Sequence, residues 1–302
     1  MELEGLRSTL SGCWRALRIC CNGTRSSPRL VYELLGDSNM MCDESLYINL
    51  GYWEKAKTLD EACQDLAEEL GRMAKLGPND HVLDAGCGFG DQDNYWMERF
   101  GPRRITAINV TPLHVEVAHK RTAQGGRSDR IHFALADATH LSFPAECFDK
   151  VVALESAFHF CSREAFLTEA FQVLRPGGVL AMADMVAKAS GKGLNATGWL
   201  ARQFGTLAWQ IPPGNLYGLP AYVNILHRLG YEDVETRCIS DLVFEPFIEF
   251  QRPRFDMAAS RKKLHPLVRM AAKLQIDLGF LRGLDYVLVK ARKPVQNRQA
   301  YS

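Results

Sequence analysis

His81-Val82-Leu83-Asp84-Ala85-Gly86-Cys87-Gly88-Phe89-Gly90 passes from an apolar run through an acid into glycines on alternate positions. Glycine adopts positive φ without penalty and lets a ligand approach the backbone closely. Three of them in five residues predict a tight strand-to-helix turn whose backbone is open to a bound molecule. A dinucleotide turn needs its third glycine at position 91, where Asp91 stands, which argues against a nicotinamide cofactor. A phosphate-binding loop is excluded too, because no Gly-Lys-Ser/Thr follows.

Around this stretch the chain alternates short apolar runs with helical ones. The runs HVLDAG, RITAINV, IHFALAD, FDKVVALE and GVLAMADM are separated by segments long enough for crossover helices, including VEVAHKRTAQ and REAFLTEAFQVL. That rhythm predicts an α/β fold with a mostly parallel sheet. YEDVETRCI and LDYVLVKARKP bring the strand count to about seven. Upstream, Thr58 with Glu61 three residues later forms a capping box before Ala62, Leu66, Leu70 and Met73, so residues 58 to 76 predict an amphipathic helix.

Composition sets the outer bounds. Across 302 residues, 36 basic against 35 acidic side chains leave a formal net charge of +1, so no chain-wide field exists to hold nucleic acid or an anionic membrane. Nine cysteines include no Cys-x-x-Cys pair and no zinc-like spacing with histidine, which suits a reducing, cytoplasmic setting and no metal. Asn-x-Thr triplets occur at Asn22, Asn109 and Asn195, but no signal peptide supports a secretory route. No apolar run reaches the roughly 18 residues of a spanning helix.

Three segments leave two readings open. Leu3, Leu6, Leu10, Trp14 and Leu17 make an N-terminal helix that either packs on the body or, with Cys20 or Cys21 acylated, touches a membrane. Residues 187 to 219 (Trp199, Phe204, Trp209, Tyr217) and 241 to 282 (Phe244, Phe247, Phe250, Phe255) interrupt the alternation on the side where such sheets build pockets. They read as a two-part cap whose aromatics line a pocket or fill the cap's own core. Residues 252 to 273, with seven Lys or Arg and one Asp, make a solvated face or an anion-binding one.

The acid-Gly-x-Gly-x-Gly pattern resembles motif I of class I S-adenosylmethionine-dependent methyltransferases, and the resemblance extends over roughly 250 residues. It implies a Rossmann-like seven-stranded sheet with N-terminal helices and a cap, and S-adenosyl-L-methionine as cofactor. By that resemblance Asp84, Gly86 and Gly88 serve the methionine part of the cofactor, and Asp137-Ala138 the adenine. Asn109 stands at the ribose position where the family usually has an acid, and its amide can still accept and donate. His114, five positions on, matches a polar position in a subset that includes the mycolic-acid cyclopropane synthases. Leu154-Glu155 ends the fourth strand, and Leu174-Arg175-Pro176-Gly177-Gly178 is a typical turn before the fifth.

Further motifs narrow the resemblance to erythromycin- and rifamycin-type small-molecule O-methyltransferases. They are Tyr47-Ile48-Asn49-Leu50-Gly51-Tyr52-Trp53, Gln92-Asp93 after the glycines, and Glu155-Ser156-Ala157-Phe158-His159 after strand four. The resemblance makes residues 1–76 an N-terminal element that closes over the cofactor, with Tyr47 and Gln92 among its contacts, and 77–302 the methyltransferase domain. A histidine titrates near neutrality and can take a hydroxyl proton, so His159 is the expected general base. Asp184 resembles a carboxylate that orients the acceptor or assists the base. A structural hydrogen bond for His159 and a cap for Asp184 are the plainer alternatives. Cyclopropane-synthase chemistry is disfavoured, because those enzymes carry Glu where Phe158 stands.

Together these readings imply methyl transfer to a hydroxyl of a small, partly apolar molecule. Nitrogen as acceptor, then carbon, and a catalytically silent S-adenosylmethionine-binding protein are the alternatives.

Overall fold

The computed structural model describes residues 42–188, 211–256 and 280–295. One sheet contains β1 (His81–Ala85), β2 (Arg104–Asn109), β3 (Ile131–Leu135), β4 (Phe148–Leu154), β5 (Leu174–Ala187), β6 (Glu232–Cys238) and β7 (Leu284–Arg292), ordered β3-β2-β1-β4-β5-β7-β6. Strands β1 to β5 pair in parallel, and β7 runs antiparallel to both β5 and β6. The helices are α1 (Leu59–Ala74), α2 (Asp91–Arg99), α3 (Pro112–Gln124), α4 (Arg163–Val173), α5 (Leu219–Arg228) and α6 (Phe244–Asp256).

The expected Rossmann-like fold is thus present, with every predicted strand in place. At β5 the boundary differs. Pairing with β4 jumps from Phe148 opposite Leu174 to Lys150 opposite Val179, so the Arg175–Gly178 turn is a bulge inside the strand, with Gly177 at φ 80°. Helix α5 starts at Leu219, where the first expected cap segment ends, and the sequence pattern does not predict it.

Alternation along each strand builds two cores. Val82 of β1 packs with Leu66, Trp96 and Phe244 on one face, and Leu83 packs with Phe166, Leu167 and Tyr222 on the other. Helix α1 starts as the capping box predicts. Thr58 Oγ1 accepts from the Glu61 amide at 3.2 Å, and the Glu61 carboxylate accepts from the Thr58 amide at 3.3 Å. The Trp96 indole donates to the Ala67 carbonyl at 2.8 Å, fixing α2 against α1.

Strand order reverses between β1 and β4, and in parallel sheets that point opens a crevice at the carboxyl ends of the strands. The segment before α1 lies over this crevice as a strap. The Tyr52 amide donates to the Ala62 carbonyl and the Trp53 amide to the Leu242 carbonyl, both at 2.8 Å.

The expected N-terminal helix, Trp199, Phe204 and Trp209 of the cap, the side chain of Phe255 and the basic run from residue 257 lie outside the described residues. Among the described residues no helix is long and apolar enough to cross a membrane.

Candidate active site

The glycine turn follows β1 directly and is sewn to its neighbour, because the amides of Gly86 and Cys87 both donate to the Ile108 carbonyl at 2.9 and 3.1 Å. Gly86 sits at φ 101°, and a Cβ there would lie 2.3 Å from Ser156 Cβ. Only glycine fits, for reasons of both backbone and space. Gly88, at φ 54°, has open room as far as Ile48 Cδ1, 3.6 Å from where a Cβ would stand. The turn therefore leaves a cradle that a side chain would fill.

Above it lies a cavity of about 210 Å³. Leu46, Ile48 and Asn49 of the strap, the glycine turn, the ends of β2 and β4, and the loop after β3 form its walls. Of the cofactor residues expected from sequence, Gly86, Gly88, Gln92, Asn109, His114, Asp137, Ala138 and Glu155 line it. Tyr47 and Asp84 do not. Tyr47 packs into the core, while its neighbours Ile48 and Asn49 face the cavity. Asp84, fully buried, reaches the wall through Gln92, whose Nε2 donates to its carboxylate at 3.1 Å.

The polar lining is partly committed. Asn109 Oδ1 accepts from the Thr111 amide at 2.9 Å. Asp137 Oδ1 accepts from both the amide and the hydroxyl of Thr139 at 2.8 Å, which holds the loop after β3. His114 packs at a tilt against Phe89 with ring centroids 4.2 Å apart, and burial lowers its pKa to about 4, so it is neutral at physiological pH. Asn49 is only 2% exposed; its Oδ1 accepts from the Gly51 amide, while its Nδ2 donor has no partner among the described residues. The sequence gives no reason to single out Asn49 from its neighbours, although it lies inside the Tyr47–Trp53 motif.

Glu155 follows β4 directly at φ 47°, a strained conformation for a residue with a side chain. Its Oε1 accepts from the Leu50 amide at 2.8 Å and the Tyr286 hydroxyl at 2.7 Å, tying the strap to β4 and β7. Burial raises its pKa to about 7, against the lowering effect of these two donors.

His159 closes the short 3-10 turn Ala157–His159 and stands in the cavity wall. Asn215, which nothing local in the sequence marks, grips this turn from outside. Its Nδ2 donates to the carbonyls of Phe158 at 3.2 Å and Phe160 at 2.7 Å. Asn215 is in turn held by Arg163, whose amide donates to its Oδ1 and whose guanidinium donates to its carbonyl, each at 2.9 Å.

Of the two expected catalytic residues, His159 lines the cavity and Asp184 does not. Its carboxylate is fully buried on the opposite face of the sheet, ion-paired with Arg163 Nε at 2.9 Å and accepting from the Tyr222 hydroxyl at 2.9 Å. Arg163 is itself fully buried between the rings of Tyr217 and Tyr222, 4.8 and 4.9 Å from their centroids. The expected contact of Asp184 with an acceptor is therefore corrected. It neutralises the arginine that holds Asn215.

Residues 83–182 match the family model described as a methyltransferase domain. The chain is 38% identical over 277 residues to erythromycin 3''-O-methyltransferase of Saccharopolyspora erythraea, an alignment covering 89% of this chain and 90% of that protein. The chain belongs to the S-adenosylmethionine-dependent methyltransferases. This methyltransferase is also 32% identical to 27-O-demethylrifamycin SV methyltransferase of Amycolatopsis mediterranei, over 81% of this chain and 89% of the other. Its fold is shared with the solved mycolic acid cyclopropane synthase CmaA1, with a TM-score of 0.74, 17% identity and coverage of 86% of this chain and 95% of that one. The [4+2]-cyclase SpnF has the same fold, with a TM-score of 0.70, 22% identity and coverage of 89% and 97%.

The site of this methyltransferase fits its cofactor, S-adenosylmethionine. The glycine cradle accepts a chain that no side chain could share, the Asn49 amide offers a buried donor, and Asp84 with Gln92 supplies carboxylate character behind the turn. A flat, neutral imidazole at His114 suits an uncharged ring better than a phosphate.

Proposed function

We propose that this methyltransferase transfers a methyl group to a hydroxyl of a small, partly apolar molecule, with His159 as general base. The observation that carries the reading is His159 in the wall of the cavity onto which the glycine turn opens. Two relatives named for O-methylation, at 38% and 32% identity, support a hydroxyl as acceptor.

When bound, S-adenosylmethionine supplies a methyl carbon already activated by its sulfonium. The chain's own residues bind, position and move a proton. Gly86 and Gly88 lie under the methionine part, with Asp84 acting through Gln92. Asn109 holds the ribose, its Nδ2 donating because the Thr111 amide occupies Oδ1. Asp137 and Ala138 take the adenine, with His114 beside them. The strap, anchored by Glu155, covers the cofactor and helps to exclude water. Alignment and dry surroundings contribute much of the rate in such a displacement.

His159 takes the acceptor's hydroxyl proton as the oxygen lone pair forms its bond to the methyl carbon. Bound S-adenosylmethionine would supply the methyl group and keep the electron pair of its carbon–sulfur bond as a neutral thioether. Asn215 fixes the carbonyls on either side of the histidine, so the ring is presented from a rigid turn. A cytoplasmic location completes the reading.

The test is incubation with methyl-labelled S-adenosylmethionine and parallel panels of hydroxylated and amine-bearing small molecules. Label on oxygen is the expected product. Label only on nitrogen or carbon overturns the hydroxyl assignment.

A further inference from the structure

Behind the glycine turn, two carboxyl groups are buried together with no cation beside them among the described residues. Asp84 on β1 and Asp93 in the first turn of α2 are each 0% exposed and lie close enough to act on one another, and Asp84 Oδ1 and both Asp93 carboxylate oxygens are buried with no donor among the described residues. Two carboxylates buried so close together cannot both stay ionised at low cost, which favours a proton on one of them. Gln92 adds a donor to Asp84 at 3.1 Å and carries the pair's influence to the cavity wall, since Gln92 lines the cavity.

The other charged and titratable groups around the pair do not neutralise it. Arg121 of α3 reaches this end of α2, but both of its terminal nitrogens are taken by Asp91, at 2.5 and 2.7 Å. Asp91 itself acts on Asp93 as a like charge. The Cys87 thiol of the turn and the Tyr47 hydroxyl of the strap are both pushed up, chiefly by burial, and stay neutral. Burial likewise pushes Asp84 up to about 7 and Asp93 well above the carboxylate range. An uncompensated buried dianion is costly, whereas a shared proton removes most of that cost.

We propose that Asp84 and Asp93 share a proton in the cofactor-free protein and give it up to solvent when the cofactor's ammonium group arrives, so that cofactor binding is coupled to proton release. The inference rests on the S-adenosylmethionine site described above and assigns Asp93 as a positioning residue for the cofactor's amino-acid end. The pair presents its full negative charge only when a cation is there to meet it. Because the bound state holds fewer protons, affinity rises with pH through the neutral range, by at most about tenfold per pH unit for each proton released.

Titration calorimetry on the full chain near pH 7, in several buffers of different ionisation enthalpy, reads the proton directly. With S-adenosylhomocysteine, which carries the ammonium, the observed heat should vary with buffer in proportion to the release of up to about one proton. With 5′-methylthioadenosine, which keeps adenine and ribose but lacks the amino-acid end, the heat should be independent of buffer. Asp93→Asn leaves an amide to donate to Asp84 and removes the shared proton, so the release should be lost while S-adenosylhomocysteine still binds. Glu155 lines the same cavity and also titrates, but it is intact in that variant.

Binding of S-adenosylhomocysteine with no buffer dependence overturns the proton coupling alone. So does an unchanged release in Asp93→Asn, or an equal release with 5′-methylthioadenosine. Absence of any binding by the folded protein overturns the cofactor site and the coupling with it. The comparison of the two ligands uses unmodified protein and stands even if the variant does not fold.

Discussion

Asn215 donates a hydrogen bond to the carbonyl of Phe160 at 2.7 Å, across 55 positions of sequence, and so clamps the turn that ends in His159. The same amide reaches Phe158 at 3.2 Å, so both flanks of the histidine are held by one side chain that does not line the cavity. Behind it stand Arg163 and Asp184, fully buried and paired. A polar network on one face of the sheet thus sets the position of a ring on the other side of the turn.

Replacing Asn215 with Ala should loosen the turn without touching the cofactor. Turnover is expected to fall about tenfold or more, because small misplacements of a reacting group are amplified in rate. Affinity for S-adenosylhomocysteine should stay within about twofold, since the clamp is remote from the glycine turn. Steady-state kinetics beside calorimetry check the split, and parallel losses of both would mean a general collapse of the site.

For Asp184 the expected readout is stability. Asp184→Ala leaves the Arg163 guanidinium buried without its counter-ion, which costs about 3–5 kcal/mol in folding free energy. Denaturant unfolding measures it. A variant with wild-type stability and lost turnover would restore the direct catalytic role.

The fold is legible in the sequence because its signals are local. Glycines at 86, 88 and 90, the Thr58–Glu61 capping box and the apolar runs each report on a few neighbouring residues, and each lies where expected. Most of the cofactor wall is legible for the same reason, since its residues sit at the ends of those strands. Arg163, Asn215 and Tyr286 are not, because each acts through partners 52 to 131 positions away. Tyr47 and Asn49 cannot be told apart from sequence, because nothing in a seven-residue motif says which side chain the strap turns inward. Asp184 reads as a site residue by resemblance, and nothing in the sequence of β5 reveals that Arg163 of α4 is buried against it.

Glu155 gives a pH signature. Its ordinary pKa of 4.5 is raised to about 7 in the folded protein, so folding favours the protonated acid. The stability this contributes is complete below about pH 4.5 and is lost as pH rises to about 7. Glu155→Gln keeps an acceptor for the Leu50 amide and the Tyr286 hydroxyl but cannot titrate. Its melting temperature relative to wild type should therefore climb across that window, and a constant offset would contradict the assignment.

Gly86→Ala should abolish cofactor binding through the protein's own packing. The new methyl group would meet Ser156 at 2.3 Å on a backbone at φ 101°. The positive φ alone costs about 1–3 kcal/mol. Adding Ser156→Gly removes the clash but not the backbone strain, so calorimetry on the double variant should recover only part of the affinity.

Proton removal by His159 accompanies methyl transfer to oxygen in the reaction proposed above. Turnover of a hydroxylated acceptor with methyl-labelled S-adenosylmethionine, compared between wild type and His159→Ala, tests it most directly. The expected result is an O-methylated product from wild type and a loss of about a hundred- to ten-thousand-fold in the variant, the range of a removed acid–base group, with S-adenosylhomocysteine affinity nearly unchanged. Equal turnover by His159→Ala would contradict it.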